Sequence, residues 1–251
     1  MNPFDMKAAL PTKSAVIPSK ASTIVVVKPD GGDRFEVLMT RRAANLPVLG
    51  GFLVFPGGGL ETMDWSERML SRCRGLSPVE AQRLLGTDMS PEQSMGHWVA
   101  AVRELFEEAG LHFFTDERGM AVHAGDHGMV ERLAQKRQAL ATGQLDLPSL
   151  LESEGLYCDV GRLAYLFHRI TPDQHPFRFD TRFYLAAVPD GQIPLPSSEE
   201  VAESLWIAPK AALERYESGH FPMMPPTIIV LRTLVEHGSW QSLAKSYRLV
   251  L

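Results

Sequence analysis

The residues best suited to chemistry are Glu104, Glu107 and Glu108, three carboxylates crowded into one short stretch with no lysine between them. Like charges at i,i+3 and i,i+4 on a helix cost about 0.2–0.5 kcal/mol per pair, so the cluster is unfavourable unless something neutralises it. Arg103 supplies an i,i+4 partner for Glu107 alone. A hard divalent cation, Mg²⁺ or Mn²⁺, would relieve the rest, because such ions take oxygen ligands and keep positions open for substrate oxygens. A second suspect lies upstream. In Pro56-Gly57-Gly58-Gly59 the glycines let backbone approach a ligand closely.

These groups need a helix, a loop and a sheet to hold them. Ser90-Pro91-Glu92 reads as the start of a long helix and Gly110 as its end. Within it Val102, Leu105, Phe106 and Ala109 form the buried stripe. With Val102 at zero and about 100° per residue, Glu104, Glu107 and Glu108 fall at about 200°, 140° and 240°, all pointing away from that stripe. The expectation is therefore a polar face on which substitutions cost little stability. Strands are expected at Thr23–Val27, Phe35–Thr40, Gly51–Phe55, Phe177–Val188 and Val201–Trp206. Further helices are expected at residues 79–85, 129–141, 147–154, 209–216 and 227–237. The sum is an α+β chain, a mixed sheet with helices packed around it.

Arg103-Glu104-Leu105-Phe106-Glu107-Glu108-Ala109-Gly110-Leu111 resembles the second half of the Nudix box at every specified position, and Phe55-Pro56-Gly57-Gly58 resembles its opening. The resemblance implies an α/β/α sandwich and a hydrolase of nucleoside diphosphates linked to another group. It also implies metal ligation by Glu104, Glu107 and Glu108, with Arg103 orienting a catalytic carboxylate. The spacing departs from the family, in which the glycine and the arginine stand fourteen positions apart, with an acidic residue six after the first and eight before the second. Here Gly58 and Arg103 stand 45 apart. Counting forward reaches Asp64 and counting back reaches Met95, so the acidic residue is not assigned.

An inserted box resembles the Nudix branch that contains coenzyme A diphosphatases. Leu38-Met39-Thr40-Arg41-Arg42-Ala43, Ile170-Thr171-Pro172 and Pro225-Pro226-Thr227 extend that likeness over roughly residues 20–235, while Pro47 stands where the coenzyme A signature has an arginine. On this reading Gly57 and Gly58 lie close to the substrate, and Arg41 and Arg42, on alternating faces of a strand, place at most one guanidinium on its diphosphate. A remote glutamate would come from Glu199, Glu200 or Glu203. Arg178 is expected to pair with Asp180.

Length and composition set the outer limits. With 251 residues, 45% hydrophobic and 22% charged, the chain is read as one domain over residues 1–251, with a helical insertion at about 62–95 and further helices at about 126–154. A net charge of −5 without a basic block argues against nucleic acid as partner. No run of eighteen apolar residues and no leader pattern appear, so neither membrane insertion nor export is expected. Cys73 and Cys158 form no C-x-x-C pair, which fits a reducing, cytoplasmic setting. The expected partner is a small nucleoside-diphosphate-linked substrate, and a homodimer is compatible with the chain. The rival readings are a ligand-sensing or interaction module without turnover, and a hydrolase of NADH or ADP-ribose.

Overall fold

The computed structural model describes residues 16–195 and 200–250. In chain order its elements begin with β1 (Ser19–Pro29), β2 (Phe35–Arg42), β3 (Leu53–Val54) and β4 (Gly57–Gly59), followed by a 3-10 turn at Thr62–Trp65. Next come α1 (Glu67–Leu70), β5 (Cys73–Arg74), α2 (Pro78–Leu85), α3 (Pro91–Ala109) and β6 (Phe114–Thr115). Then follow α4 (His127–Ala141), α5 (Leu147–Glu154), β7 (Tyr157–Asp159), β8 (Ala164–Ile170) and β9 (Phe179–Ala187). The chain closes with β10 (Val201–Ile207), α6 (Pro209–Glu217), α7 (Pro225–His237) and α8 (Trp240–Tyr247).

The main sheet runs β10-β2-β1-β9-β8, with β3 added to β2 and β4 added to β1. It is mixed because β1 and β9 are parallel, from Ser19 beside Phe179 to Val27 beside Ala187, while the other pairs are antiparallel. Alternation along β1 sends Ile24 and Val26 to the α3 side and Val25 and Val27 to the α7 side, so two cores sandwich the sheet. Helix α3 covers one face and α6, α7 and α8 the other, the expected α/β/α layering.

Local chemistry explains the boundaries of α3. The Ser90 side chain caps its start, Pro91 occupies the first turn, and Gly110 closes it in a left-handed conformation with φ 70°. The expected strand at Gly51–Phe55 shrinks to Leu53–Val54, because Gly51 takes φ 79° and Pro56 has no N–H to pair. Apart from pieces of two to four residues, two elements have no counterpart in the sequence reading. Strand β8 lies at the sheet edge, is half exposed and is bulged between Tyr165 and Phe167, which blurs its alternation. Helix α8 buries only Leu243.

The segment after Thr62 is less purely helical than expected. It contains β5, which pairs with β7 in a small three-stranded sheet, and it ends at Ser90 because residues 91–95 already belong to α3. That small sheet makes Cys73 and Cys158 register neighbours, both as free thiols. Arg178 pairs with Asp173 rather than Asp180, whose carboxylate is taken by Arg182 and His168.

Candidate active site

The site forms where the C-terminal half of α3 passes beneath β4. Glu104, Glu107 and Glu108 line one cavity together with Gln138, Ala141 and Thr142 of the α4 end and with Glu200. Glu200 is fixed at the sheet edge because its carbonyl accepts the Ala43 N–H at 2.8 Å. Of the three glutamates considered as a remote contributor, Glu200 therefore reaches the cavity and Glu203 pairs with Arg41 outside it. Glu199 lies outside the described residues.

The expectation of a freely substitutable polar face is corrected here. Glu108 is 5% exposed, and its carboxylate accepts the Gly57 N–H at 3.4 Å. A helical wheel identifies the face against the core, but β4 and α4 cover much of the opposite face as well. The glycines permit this closeness. A Cβ on Gly58 would lie 2.4 Å from Oε1 of Glu104, and one on Gly57 would lie 2.4 Å from the Ser22 carbonyl oxygen.

Burial raises all three carboxylate pKa values. For Glu104, desolvation leads and Glu107 adds to it, overriding Arg103 and carrying the pKa to about 7. Glu107 moves up for the same first reason. Glu108 is pushed well above the carboxylate range by burial and then by Glu104, with Arg42 opposing.

Arg103 is the organiser. Its Nε donates to Asp64 Oδ1 at 2.9 Å, and Nη2 donates to Asp64 Oδ2 at 3.1 Å and to the Gly59 carbonyl at 2.7 Å. Its Nη1 donates to Glu104 at 2.9 Å and Glu107 at 3.4 Å. A guanidinium has five N–H donors, and these acceptors use them all, so Arg103 positions carboxylates and has no donor left for a substrate. Burial alone would lower its pKa, but Asp64, Glu104 and Glu107 together outweigh that and raise it.

Asp64 is thus the acidic residue that counting along the chain left unassigned. The forward count of six from Gly58 is the one the geometry selects, and the extra residues lie between Asp64 and α3. Alternation along β2 separates the two arginines. Arg42 shares the α3 side with Leu38 and stands 3.8 Å from Glu200, whereas Arg41 lies over the Phe221 ring on the other face. Arg137 of α4 is a residue the sequence reading passed over. It donates to the carbonyls of Phe106 and Glu107 at 2.9 Å and of Glu108 at 3.1 Å, tying down the last turn of α3.

Residues 12–234 match the family model described as the NUDT19 Nudix domain, which is most of the chain. The chain belongs to the Nudix family. A chicken relative named acyl-coenzyme A diphosphatase NUDT19 is 26% identical over 249 residues, covering 86% of this chain and 65% of the relative. A Caenorhabditis elegans relative named putative nudix hydrolase 7 is 26% identical over 205 residues, covering 82% of this chain and 57% of its own length. The chain therefore spans roughly three fifths of these curated relatives. The crystal structure of a NUDIX hydrolase from Alicyclobacillus acidocaldarius superposes with a TM-score of 0.71 at 30% identity, covering 92% of this chain and 96% of that one.

Divalent metal ions are the general cofactor of Nudix hydrolases, and the donor set here suits them: carboxylate oxygens, buried and short of positive charge. Among the described residues no three His, Cys, Asp or Glu side chains form a closed ligand set, and Glu104 and Glu107 are ion-paired with Arg103. Among those residues, too, no helix is long and apolar enough to cross a membrane.

Proposed function

We propose that this Nudix chain hydrolyses the diphosphate linkage of a small nucleoside-diphosphate-linked molecule with Mg²⁺ or Mn²⁺, and that its substrate class is coenzyme A or acyl-coenzyme A. The observation carrying the reaction class is the convergence of Glu104, Glu107, Glu108 and Glu200 on one cavity beneath the glycine strand. The substrate class is supported by the Leu38–Ala43 motif, the lengthened box and the acyl-coenzyme A diphosphatase named among the relatives. The same reading treats residues 1–251 as a single Nudix unit.

In this mechanism Glu104, Glu107 and Glu108 would hold the metal. A divalent cation supplies neutralisation of the diphosphate oxygens and a lowered pKa for water at the attacked phosphorus. Arg103 keeps Glu104 and Glu107 aimed, and Asp64 keeps Arg103 in place. Gly57 and Gly58 allow the strand to lie against the carboxylates with no side chain between. As the water oxygen bonds to phosphorus and the bridging P–O bond breaks with its electron pair leaving on the departing phosphate, the carboxylate set, whose members titrate as a coupled group, would take up the proton the water loses. Arg42, at the Glu200 side, is the cation available to an anionic part of the substrate.

The test is incubation of purified protein with coenzyme A, acyl-coenzyme A, NADH and ADP-ribose in Mg²⁺ or Mn²⁺, with product analysis. Release of 3′,5′-ADP and (acyl-)phosphopantetheine, abolished by EDTA, is expected. Turnover of NADH or ADP-ribose alone would remove coenzyme A and keep the reaction class. Undiminished turnover after complete metal removal would remove the mechanism.

A further inference from the structure

A second cavity, of about 360 Å³, lies on the other side of Glu107. One wall is the turn carrying Glu61, Met63 and Asp64. The other is the end of α4 and the connection to α5, through Gly143, Gln144 and Leu145. Glu107 and Ala141 line both cavities, so the two adjoin at the carboxylate turn. A linear molecule with its diphosphate at that turn therefore has room for one end on each side.

The two sides differ in charge. Among the described residues the one cation lining the second cavity is Arg103, whose donors are already consumed, whereas Glu61, Asp64, Glu107 and Asp146 all contribute carboxylates. A phosphate or carboxylate entering here would meet net negative charge at short range. The remaining surface is the amide of Gln144 with apolar walls from Met63, Leu140, Leu145 and Leu147. Those groups suit an uncharged chain of amides and methylenes. The opposite side has Arg42 near Glu200, which suits the phosphorylated nucleoside end.

Resting on the diphosphatase reading, we propose that this second cavity is the subsite for the non-nucleotide arm of the substrate. It accepts a neutral arm bearing amides and alkyl groups and rejects an arm that ends in a phosphate or carboxylate. The nucleoside then lies on the Arg42 side of the carboxylate turn.

Gln144 tests this, being exposed at the cavity rim and outside the carboxylate machinery. The probes are pantetheine as neutral arm and S-succinylpantetheine as charged arm, with binding followed by protein NMR. Wild-type protein should bind pantetheine in preference to the charged analogue, and Gln144→Trp should weaken pantetheine at least ~10-fold, about 1.4 kcal/mol. Gln144→Lys, which places a cation at the rim, should narrow the preference. In turnover, Gln144→Trp should raise KM for coenzyme A and leave the methyl ester of ADP unchanged. Equal effects on both esters, or pantetheine binding indifferent to both variants, would overturn the subsite while leaving diphosphate hydrolysis standing. Absence of any turnover by wild-type protein would overturn the activity, and the pantetheine measurement would still decide the subsite. Thermal unfolding of each variant separates occlusion from misfolding.

Discussion

Asp64 and Arg103 are 39 residues apart in sequence, and their side chains meet in a two-pronged ion pair that is almost wholly buried. The pair joins the start of the insertion to the helix bearing the carboxylates. Its first consequence concerns Asp64→Asn, which keeps the shape and removes the charge. Breaking one partner of a buried pair costs about 3–5 kcal/mol, so a large drop in unfolding free energy is expected in denaturant titration. Freed from Asp64, Arg103 should also bind Glu104 and Glu107 more tightly, and a higher metal concentration should be needed for half-maximal activity. Wild-type stability in this variant would show that the pair holds neither the fold nor the site.

The neighbouring glycines should fail in different ways. Alanine at Gly57 meets the Ser22 carbonyl and the Thr23 Cα, backbone atoms that cannot move without disturbing the β1–β4 pairing. A loss of about 1–3 kcal/mol of stability is expected. Alanine at Gly58 meets first the far end of the Glu104 side chain. There the melting temperature should hold, while kcat falls by up to ~100-fold through displacement of that carboxylate. Matching losses of stability in the two variants would contradict this division.

Which parts were legible in the sequence follows from the range of each signal. The limits of α3 are written locally in Ser90, Pro91 and Gly110, and the helix begins and ends there. The glutamates and the glycines were visible for the same reason. Asp64 was not, because two counts across an insertion disagree and only the meeting with Arg103 decides between them. Arg137 looks like an ordinary cation on the mostly polar α4, since its acceptors are backbone carbonyls of another helix. The burial of Glu108 is not legible in the sequence, because periodicity records the face against the main core and says nothing of a strand laid over the other side.

Two buried groups set opposite pH limits. Glu104 has a folded pKa near 7 against an ordinary 4.5, so its contribution to stability is present below 4.5 and lost as pH rises through 7. His97 is lowered from 6.5 to about 3 by burial and then by Arg182, so its contribution is present above 6.5 and lost as pH falls toward 3. In metal-free protein Glu104→Gln should flatten the alkaline limb of the melting-temperature profile, and His97→Gln the acid limb. Mg²⁺, bound by ionised carboxylates, should raise the melting temperature more at about pH 8 than at about pH 5. A Mg²⁺ effect of the same size at both would separate ion binding from these glutamates.

Arg137 bears on the site through backbone alone. The last carbonyls of a helix lack partners within it, and here those of Glu107 and Glu108 point at one guanidinium from α4, together with that of Phe106, which also accepts the Gly110 N–H. They belong to Phe106, Glu107 and Glu108, so the clamp fixes the turn from which two of the carboxylates project. Lysine keeps the charge but cannot span three acceptors with a planar fork. Arg137→Lys should therefore cost about 1.5–3 kcal/mol, read by denaturation. It should also weaken Mg²⁺ activation, whereas loss of helix packing alone would leave the metal dependence of the folded fraction unchanged. Arg137→Met, which keeps much of the stem and loses every donor, should be worse on both counts. A methionine variant with normal Mg²⁺ activation would reduce the clamp to a fastening between α3 and α4.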